Sequence, residues 1–221
     1  MRESRTGRPR PAALTQIPRA AWVMARAFTP HPLLAVVTVP VLFMVAWVYG
    51  VRRALYLDAT RTGVVAIARH RPVLDAVLIA PMAGAGGVAF GVLGSALVFG
   101  GETNVATAVV ALAGLWFAVG IAVLIARSPG SMTSTVGPET PRENLHTVMA
   151  MSQLPGTRLT ALLLARRVVE GLPPGTVVAA VAGDDRLARA YARLGFTPGK
   201  ERRCHLVVGA PRWTSRPDRH G

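Results

Sequence analysis

Three long apolar segments constrain this chain more than any other feature of its sequence. No charged residue occurs in residues 33–50, 76–101 or 103–126. A helix that spans a bilayer needs about 20 apolar residues, so the second and third segments are long enough on their own. The first is shorter and carries Pro40 near its middle, which leaves a kinked span and a re-entrant segment both open. The sequence therefore predicts a multi-pass membrane region over residues 33–127.

The second and third segments are separated only by a short connection around Glu102, which predicts a tight helical hairpin. Small residues recur at every fourth position of both segments, a spacing that lets helix backbones approach closely in lipid. They are Ala83, Gly87, Gly91 and Ser95, followed by Gly114, Ala118, Ala122 and Ala126. The general abundance of alanine and glycine is the alternative explanation. Packing through these faces also predicts a homo-oligomer.

Arginines predict how this region lies in the membrane. They occur before the hairpin at Arg52, Arg53, Arg61, Arg69 and Arg71 and after it at Arg127. Cytoplasmic loops are enriched in Arg and Lys, so both hairpin ends and the C-terminal domain are expected in the cytoplasm. The basic residues 1–32 favour the same side, with residues 12–28 as a membrane-surface segment. A full first span would place residues 1–32 on the outside, whereas a re-entrant first segment with Pro40 at its bend would satisfy all three basic blocks, so the sequence leaves both arrangements open.

The net charge of the chain is +14, which indicates membrane lipid as a partner. Nucleic acid is not expected, because only 6% of the residues are aromatic and no nucleic-acid-binding motif occurs. The spacing of the histidines predicts no metal site. The single Cys204 excludes a disulfide within the chain.

The amino-acid composition of the sequence changes after Arg127. Residues 128–144 are rich in Ser, Thr, Gly and Pro and are typical of a linker. Residues 145–208 predict a small α/β (or α+β) unit in the order strand, helix, strand, helix, strand. The strands are expected at 145–151, 176–182 and 204–208, and the helices at 157–172 and from Asp184 or Asp185 to 193. The first crossover implies parallel neighbouring strands. Residues 209–221 are expected to be a basic, disordered tail.

Two motifs in this unit, QLPGTRLTALLL (153–164) and ARAYARLGF (188–196), resemble the GNAT acyltransferase superfamily. The resemblance implies acetyl-CoA as cosubstrate, with its pyrophosphate held at a helix N-terminus by Gln153, Gly156 and Thr157. Arg158 and Thr160 stand where the family has further glycines, and Arg158 either contacts a phosphate or obstructs it. Tyr191 holds the position of the family's general acid, which protonates the departing thiolate. Packing between helix and sheet is the alternative role for Tyr191.

The resemblance covers only about residues 143–208, the C-terminal half of the family fold. The front half should precede Leu145, where we expect membrane segments and linker instead. Glu143 and His146 are the remaining candidates for a general base, although a lone histidine at a strand start is more typical of a structural role. The sequence thus predicts a membrane-anchored, acyl-CoA-dependent N-acyltransferase acting on an amine. The alternative is a non-catalytic integral membrane protein with a degenerate GNAT-like domain.

Overall fold

The computed structural model describes residues 9–29, 31–71, 105–127 and 135–209, together with positions 73, 74, 77, 78, 80, 84 and 91. Within these residues the protein is a mixed α/β structure. Its helices are α1 (Ile17–Phe28), α2 (Pro32–Val51), α3 (Val105–Arg127), α4 (Thr160–Glu170) and α5 (Asp185–Arg193). Its strands are β1 (Leu55–Leu57), β2 (Gly63–Arg69), β3 (Leu145–Gln153), β4 (Val177–Val181), β5 (Thr197–Pro198) and β6 (Arg203–Val207).

The six strands form one sheet in the order β1-β2-β3-β4-β6-β5. All neighbouring pairs are antiparallel except β3 and β4, which run parallel. Helix α4 connects those two strands, since parallel strands need a crossover. The predicted alternation of strands and helices after residue 145 and the predicted parallel pair are therefore confirmed.

The sheet is larger than the sequence predicted. Strands β1 and β2 precede the expected start at residue 145 and lie in the stretch interpreted as part of the membrane region. Strand β2 pairs with β3 along its whole length, from Gly63 opposite Gln153 to Arg69 opposite His146. Its sequence, GVVAIAR, is buried at every position except the last, as expected of an apolar strand covered on both faces. The expectation that only membrane segments and linker precede Leu145 was therefore wrong.

Helices cover both faces of the sheet. Val64, Ala66 and Ala68 of β2 are buried in the same cluster as residues of α1 and α2. Val65 and Ile67, which point the other way, are buried with residues of α4 and α5. Helix α1 buries its apolar face in this core: Ile17, Ala20, Ala21, Val23, Met24 and Ala25 are all inaccessible or nearly so. That face is not available to a bilayer, which corrects the prediction of a membrane-surface segment over residues 12–28.

Helix α2 continues through Pro40 without a break. Of the two alternatives that the sequence left open, the re-entrant bend at this residue is therefore absent. The 20 residues of the helix extend about 30 Å, enough to cross a bilayer. Residues 32–51 and 108–126 form the two helices in the described part that are long and apolar enough to span, by length and composition alone. Of the most apolar 18-residue stretch of each helix, 39% is buried within the protein in the first helix and 17% in the second.

Helix α3 packs against α2 at a glycine. A Cβ atom on Gly120 would lie 2.7 Å from the Val37 carbonyl oxygen and 3.1 Å from Val41 Cγ2, so only glycine allows this approach. Among the small residues predicted to pack, Gly114 is buried, whereas Ala122 and Ala126 are exposed. Most of the predicted partner segment, including Ala83, Gly87 and Ser95, lies outside the described residues.

The remaining surface of these two helices is apolar. The exposed large side chains are Leu33, Val36, Phe43, Trp47 and Val51 on α2 and Val109, Val110, Leu112, Leu115, Trp116, Val119, Ile121 and Ile125 on α3. A soluble monomer rarely exposes so many large apolar groups on adjacent elements. We therefore expect these side chains to contact apolar surroundings rather than water.

Candidate functional site

The sheet opens between β3 and β4. The two strands pair only from Leu145 to Thr147, opposite Val177 to Ala179, although β3 runs on to Gln153. A β-bulge at Met149 interrupts the register with β2 between Ala66 and Ile67. Because a bulge bends its strand, it accounts for the separation of β3 from β4 beyond Thr147. Beyond Thr147 and Ala179 the two strands form no ladder with each other, and we call this unpaired end of β3 and β4 the wedge.

The predicted phosphate-binding turn lies at the end of β3, at the mouth of this wedge. The Gln153 Nε2 donates to the Thr157 carbonyl at 2.8 Å, and the Thr157 hydroxyl donates to the Leu154 carbonyl at 2.6 Å. Gly156 has φ +84°, a left-handed conformation that favours glycine, and nothing lies within 4 Å of where its Cβ would be. The turn is thus braced by its own side chains and open to solvent at Gly156.

Helix α4 begins directly after this turn. Its N-cap is Leu159, at φ 59°, and no side chain caps the helix there. The first N–H groups of a helix have no partner within it and carry partial positive charge, which favours an anion. Gly63 of β2 presses on this first turn, because a Cβ there would lie 2.9 Å from the Ala161 nitrogen. The helix start is therefore held in place by the sheet.

The two departures from the family pattern have different surroundings. The Arg158 side chain is exposed and does not fill the turn. The Thr160 hydroxyl is buried without a hydrogen-bond partner among the described residues. It lies about 3.1 Å from where a Gly63 Cβ would be, toward the sheet. Arg158 is therefore the departure that remains available to a ligand.

Tyr191 lies on α5, which follows β4. Asp184 caps this helix by accepting the Leu187 N–H at 2.6 Å, and Gly195 ends it at φ +92°, as the sequence predicted. The Tyr191 side chain is only 4% exposed, and its ring lies 5.2 Å from that of Phe196. Its hydroxyl donates to the Met151 sulfur at 3.9 Å. Burial and, to a lesser degree, the nearby Cys204 thiol raise the pKa of the Tyr191 phenol well above its ordinary value.

The contact with Met151 connects Tyr191 to the other predicted site residues. Met151 precedes Gln153 by two positions on β3, beyond the point where β3 and β4 separate. A thioether is a weak hydrogen-bond acceptor, so the phenol is poorly paired in this state. The phenol is protonated at neutral pH, and its raised pKa makes it a weaker acid than a solvent-exposed tyrosine. Tyr191 can therefore offer a hydrogen bond or a proton to a better acceptor beside the wedge.

The two candidates for a general base lie elsewhere. His146 is near the start of β3, at the opposite end from the turn, and its Nδ1 is 3.1 Å from the Asn144 carbonyl oxygen. Glu143 precedes the strand and is exposed. The structure therefore does not bring either residue to the carboxyl end of the wedge.

Cys204 lies on β6 and is buried. Its Sγ donates to the Ala180 carbonyl oxygen at 3.4 Å. Burial raises the pKa of this thiol to about 12, although the hydrogen bond with Ala180 opposes the shift. A thiol that stays protonated is a poor nucleophile, so Cys204 is a core residue.

Sequence reasoning missed two contributions to this site. The bulge at Met149 shapes the wedge, yet no residue type in LHTVMAMSQ marks it. Met151 lies in a strand that was predicted, but its contact with Tyr191 depends on how α5 packs.

A scan against protein-family models gives no match, and a search of curated proteins gives none either. What the site can do is therefore judged from its own geometry and chemistry.

Proposed function

We propose that this protein is a membrane-anchored, acyl-CoA-dependent N-acyltransferase that acts on an amine, with its α/β unit in the cytoplasm. The observation that carries this proposal is the wedge between β3 and β4, with a glycine turn and a helix N-terminus at its mouth. The tyrosine that the resemblance to GNAT enzymes singles out donates to Met151 beside the same wedge. The turn that would bind phosphate and the phenol that would donate a proton therefore both lie beside the part of β3 that β4 does not pair.

The chemistry follows from these groups. The pyrophosphate of acetyl-CoA would lie against the open turn at Gly156 and the uncapped start of α4. The nitrogen lone pair of the acceptor amine forms a bond with the thioester carbonyl carbon, and the carbon–sulfur bond then breaks. Tyr191 gives its proton to the departing thiolate and regains one as the amine loses its own. No covalent intermediate with the enzyme is needed.

The apolar surface of α2 and α3 supports the membrane part of the proposal. Both helices are long enough to span, and their exposed side chains are those that lipid tails would cover. The arginines that follow α2, Arg52 and Arg53, favour the cytoplasmic side for its C-terminal end. The α/β unit, which continues from that end into β1, would lie on the same side.

A second candidate is a non-catalytic membrane protein that retains only the fold. The 4% exposure of Tyr191 favours it, because a ligand would have to displace Met151 to reach the phenol. The replacement of two family glycines by Arg158 and Thr160 favours it as well. Acyl-CoA binding separates the two candidates.

The test compares two glycines with the same backbone conformation. Gly156 has φ +84° and Gly175 has φ +81°, and neither would place a Cβ within 4 Å of another residue. Gly156→Val and Gly175→Val in the full-length protein should therefore cost similar stability. Acetyl-CoA affinity, measured by calorimetry in detergent, should fall at least about 10-fold for Gly156→Val alone. Equal affinity in both variants, or no binding by the unaltered protein, would refute the acyltransferase proposal.

The orientation is tested with an introduced thiol. The native Cys204 is buried, and its pKa of about 12 keeps it unreactive toward maleimides at neutral pH. Arg142 is exposed shortly before β3, so Arg142→Cys supplies an accessible thiol. A membrane-impermeant maleimide should label it in lysed cells and not in intact cells. Labelling in intact cells would place the α/β unit outside and refute a cytoplasmic acyl-CoA site.

A further inference from the structure

A cleft of about 410 Å³ lies at the opposite end of β3 from the glycine turn. Its walls come from the end of α2, the start of β1, the ends of β2 and α4, and the start of β3. Its lining includes Arg52, Arg53, Arg69 and Arg71, together with His146. None of the described residues that line it is a carboxylate. Four arginines therefore line one cavity, and no acidic residue is among its described lining.

The structure holds part of this cluster rigidly. The Arg52 Nη2 donates to the Arg69 carbonyl at 2.7 Å, and its guanidinium lies 5.9 Å from the centre of the Tyr49 ring. This contact ties the end of α2 to the end of β2. Arg53 follows with φ 52°, a conformation that non-glycine residues adopt rarely. The positions of the arginines thus depend on the junction between α2 and the sheet.

The other three arginines have no acidic partner in the described part of the chain. Arg53 and Arg69 are exposed, and so is Arg71, and none of the three forms an ion pair with a described residue. Tyr56 lies among them, half-buried, and burial raises the pKa of its phenol, so it remains a hydrogen-bond donor. Guanidinium forks and a phenol are well suited to the oxygens of a phosphate.

Apolar side chains form the inner part of the same cleft. They are Ala54, Ile67, Ala68, Val168 and Leu172, with the exposed Leu74 at the rim. A cleft with a cationic entrance and an apolar interior matches an amphiphile that carries a phosphate. Its position matches as well, because Arg52 and Arg53 directly follow the last residue of α2 and Arg71 precedes the apolar residues 76–101.

We propose that this cleft binds a phosphate ester, supplied by the headgroup of an anionic phospholipid. A soluble phosphate ester shares the same chemistry and is separated from the lipid by experiment. The site goes beyond the proposed acyl transfer, because it shares no residue with the turn at Gly156 or with Tyr191. A lipid bound here would hold the sheet against the membrane surface. The arginines would then serve one defined site as well as the general attraction of basic residues to anionic lipid.

The experiment uses the full-length protein in neutral detergent and compares two charge-matched variants. One carries Arg53→Gln, Arg69→Gln and Arg71→Gln, with Arg52 retained because it holds β2. The other carries Arg142→Gln, Arg189→Gln and Arg193→Gln, which removes three exposed arginines that are not among the lining residues of the cleft. The probes are dioctanoyl phosphatidylglycerol, dioctanoyl phosphatidylcholine, glycerol 3-phosphate and inorganic phosphate, with binding followed by thermophoresis.

The cleft variant should bind phosphatidylglycerol at least about 10-fold more weakly, since a single charge-assisted hydrogen bond contributes about that much. The control variant should stay within about twofold of the unaltered protein. Phosphatidylglycerol should bind more tightly than phosphatidylcholine and both soluble probes. Equal losses in the two variants would show that only overall charge matters and would overturn the site. Soluble phosphate that competes as well as the lipid would support a phosphate site and overturn the lipid as its source.

Two further measurements keep the outcome decisive. Arg71→Gln alone alters a residue after the end of β2, so a loss of binding there cannot come from a disrupted strand. Acetyl-CoA affinity should be unchanged in the cleft variant, because the turn at Gly156 lies at the other end of β3. Loss of lipid binding with acetyl-CoA binding intact supports the cleft, whereas loss of both indicates a misfolded sheet and overturns the assignment of these residues to a separate site.

Discussion

At its carboxyl end, β3 runs into a turn whose positive character comes from backbone N–H groups, whereas at its amino end it lies beside four arginine side chains. Side-chain hydrogen bonds of Gln153 and Thr157 stabilise the turn, and its proposed binding of an anion does not require a charged side chain. The cleft depends on Arg53, Arg69 and Arg71, which extend from three different positions in the chain. One strand therefore connects the two proposed anion sites, which are built by different means.

Because the two sites are built differently, different changes should abolish anion binding at each of them. Backbone donors are fixed by the fold and act only at short range, so the turn is sensitive to an added Cβ or a shifted helix. Guanidinium groups act through charge and are screened at high salt, where the Debye length is about 3 Å at 1 M. Changes in shape should therefore affect the carboxyl end of β3, and changes in charge should affect its amino end.

The largest expected difference between the two ends concerns their tyrosines. Tyr191 and Tyr56 are both shielded from solvent, and burial raises the pKa of both phenols. If Tyr191 protonates the leaving thiolate, Tyr191→Phe should lower the turnover of acyl transfer by roughly 10²-fold to 10⁴-fold and leave acetyl-CoA affinity nearly unchanged. Tyr56→Phe removes the same hydroxyl at the other end and should leave turnover intact. Steady-state kinetics with a panel of amines measures both.

The contrary outcome for Tyr191 is equally clear. A purely structural tyrosine would lose one weak hydrogen bond to Met151, worth at most about 1 kcal/mol of stability, and turnover would not change. Equal turnover in Tyr191→Phe and the unaltered protein would therefore remove the general acid from the proposed mechanism. It would leave the glycine turn as a binding site only.

A smaller effect is expected where β2 presses on the start of α4. Gly63→Ala places a Cβ 2.9 Å from the Ala161 nitrogen and 3.0 Å from the Thr160 carbonyl carbon. Helix and strand must separate, which should cost about 1–3 kcal/mol of unfolding free energy and weaken acetyl-CoA binding. Gly183→Ala is the control, because a Cβ there meets nothing within 4 Å. Chemical denaturation measures the stability of both.

An unchanged stability for Gly63→Ala would mean that the start of α4 adjusts without cost, and the turn would then be less rigid than its contacts suggest. Phosphatidylglycerol binding should persist in this variant, since the arginine cleft lies at the far end of β3. A parallel loss of lipid binding would show that the two ends are not independent.

The parts of the fold that were predictable carry local signals. Asp184 and Gly195 mark the ends of α5, and the turn LPPG separates α4 from β4. Strands β1 and β2 carry no such signal, because GVVAIAR is a short apolar run between two much longer ones. Its partner β3 lies far along the chain, beyond the apolar segments. Long-range pairing of this kind is decided by packing rather than by local sequence.

The same limit applies to the sites. The turn at Gly156 and Tyr191 could be proposed from the sequence because each lies in a contiguous motif. The arginine cleft could not, because its arginines follow α2 or lie at and just after the end of β2, and they meet only when the sheet forms. In the sequence, these arginines indicated only an orientation in the membrane. The bulge at Met149 could not be predicted either, because methionine is not a residue type that indicates a β-bulge.

A pH-dependent effect of about 1 kcal/mol is expected at the hairpin beside the turn. Asp58 accepts N–H groups of Thr62 at 2.7 Å and Gly63 at 2.6 Å. Burial raises the pKa of this carboxyl, but these bonds and those from the Thr60 and Thr62 hydroxyls outweigh it, so the pKa lies below its ordinary value of 3.8. A depressed folded-state pKa stabilises the protein above about pH 4, and this contribution is lost as the pH falls through the folded value.

Asp58→Asn should therefore lower the unfolding free energy by about 0.5–1.5 kcal/mol at pH 7. The difference from the unaltered protein should shrink as the pH falls below about 4. Glu143→Gln removes an exposed carboxylate and serves as the control, with little effect at either pH. A constant difference across this range would show that the charge of Asp58 does not contribute to the hairpin, and thermal unfolding at several pH values distinguishes the two results.

The smallest effect separates shape from charge at the turn itself. Arg158 is exposed beside Gly156, so its contact with a phosphate would be screened and should change acetyl-CoA affinity only about twofold to fivefold. We expect Arg158→Gly and Arg158→Gln both to weaken binding by this amount, because glutamine keeps the bulk and removes the charge. The difference should vanish near 1 M salt. If Arg158 obstructs the phosphate instead, Arg158→Gly will bind more tightly and Arg158→Gln will not. That result would mean that acetyl-CoA affinity at the carboxyl end of β3 depends only on the shape of the turn. Side-chain charge would then determine binding only at the arginine cleft.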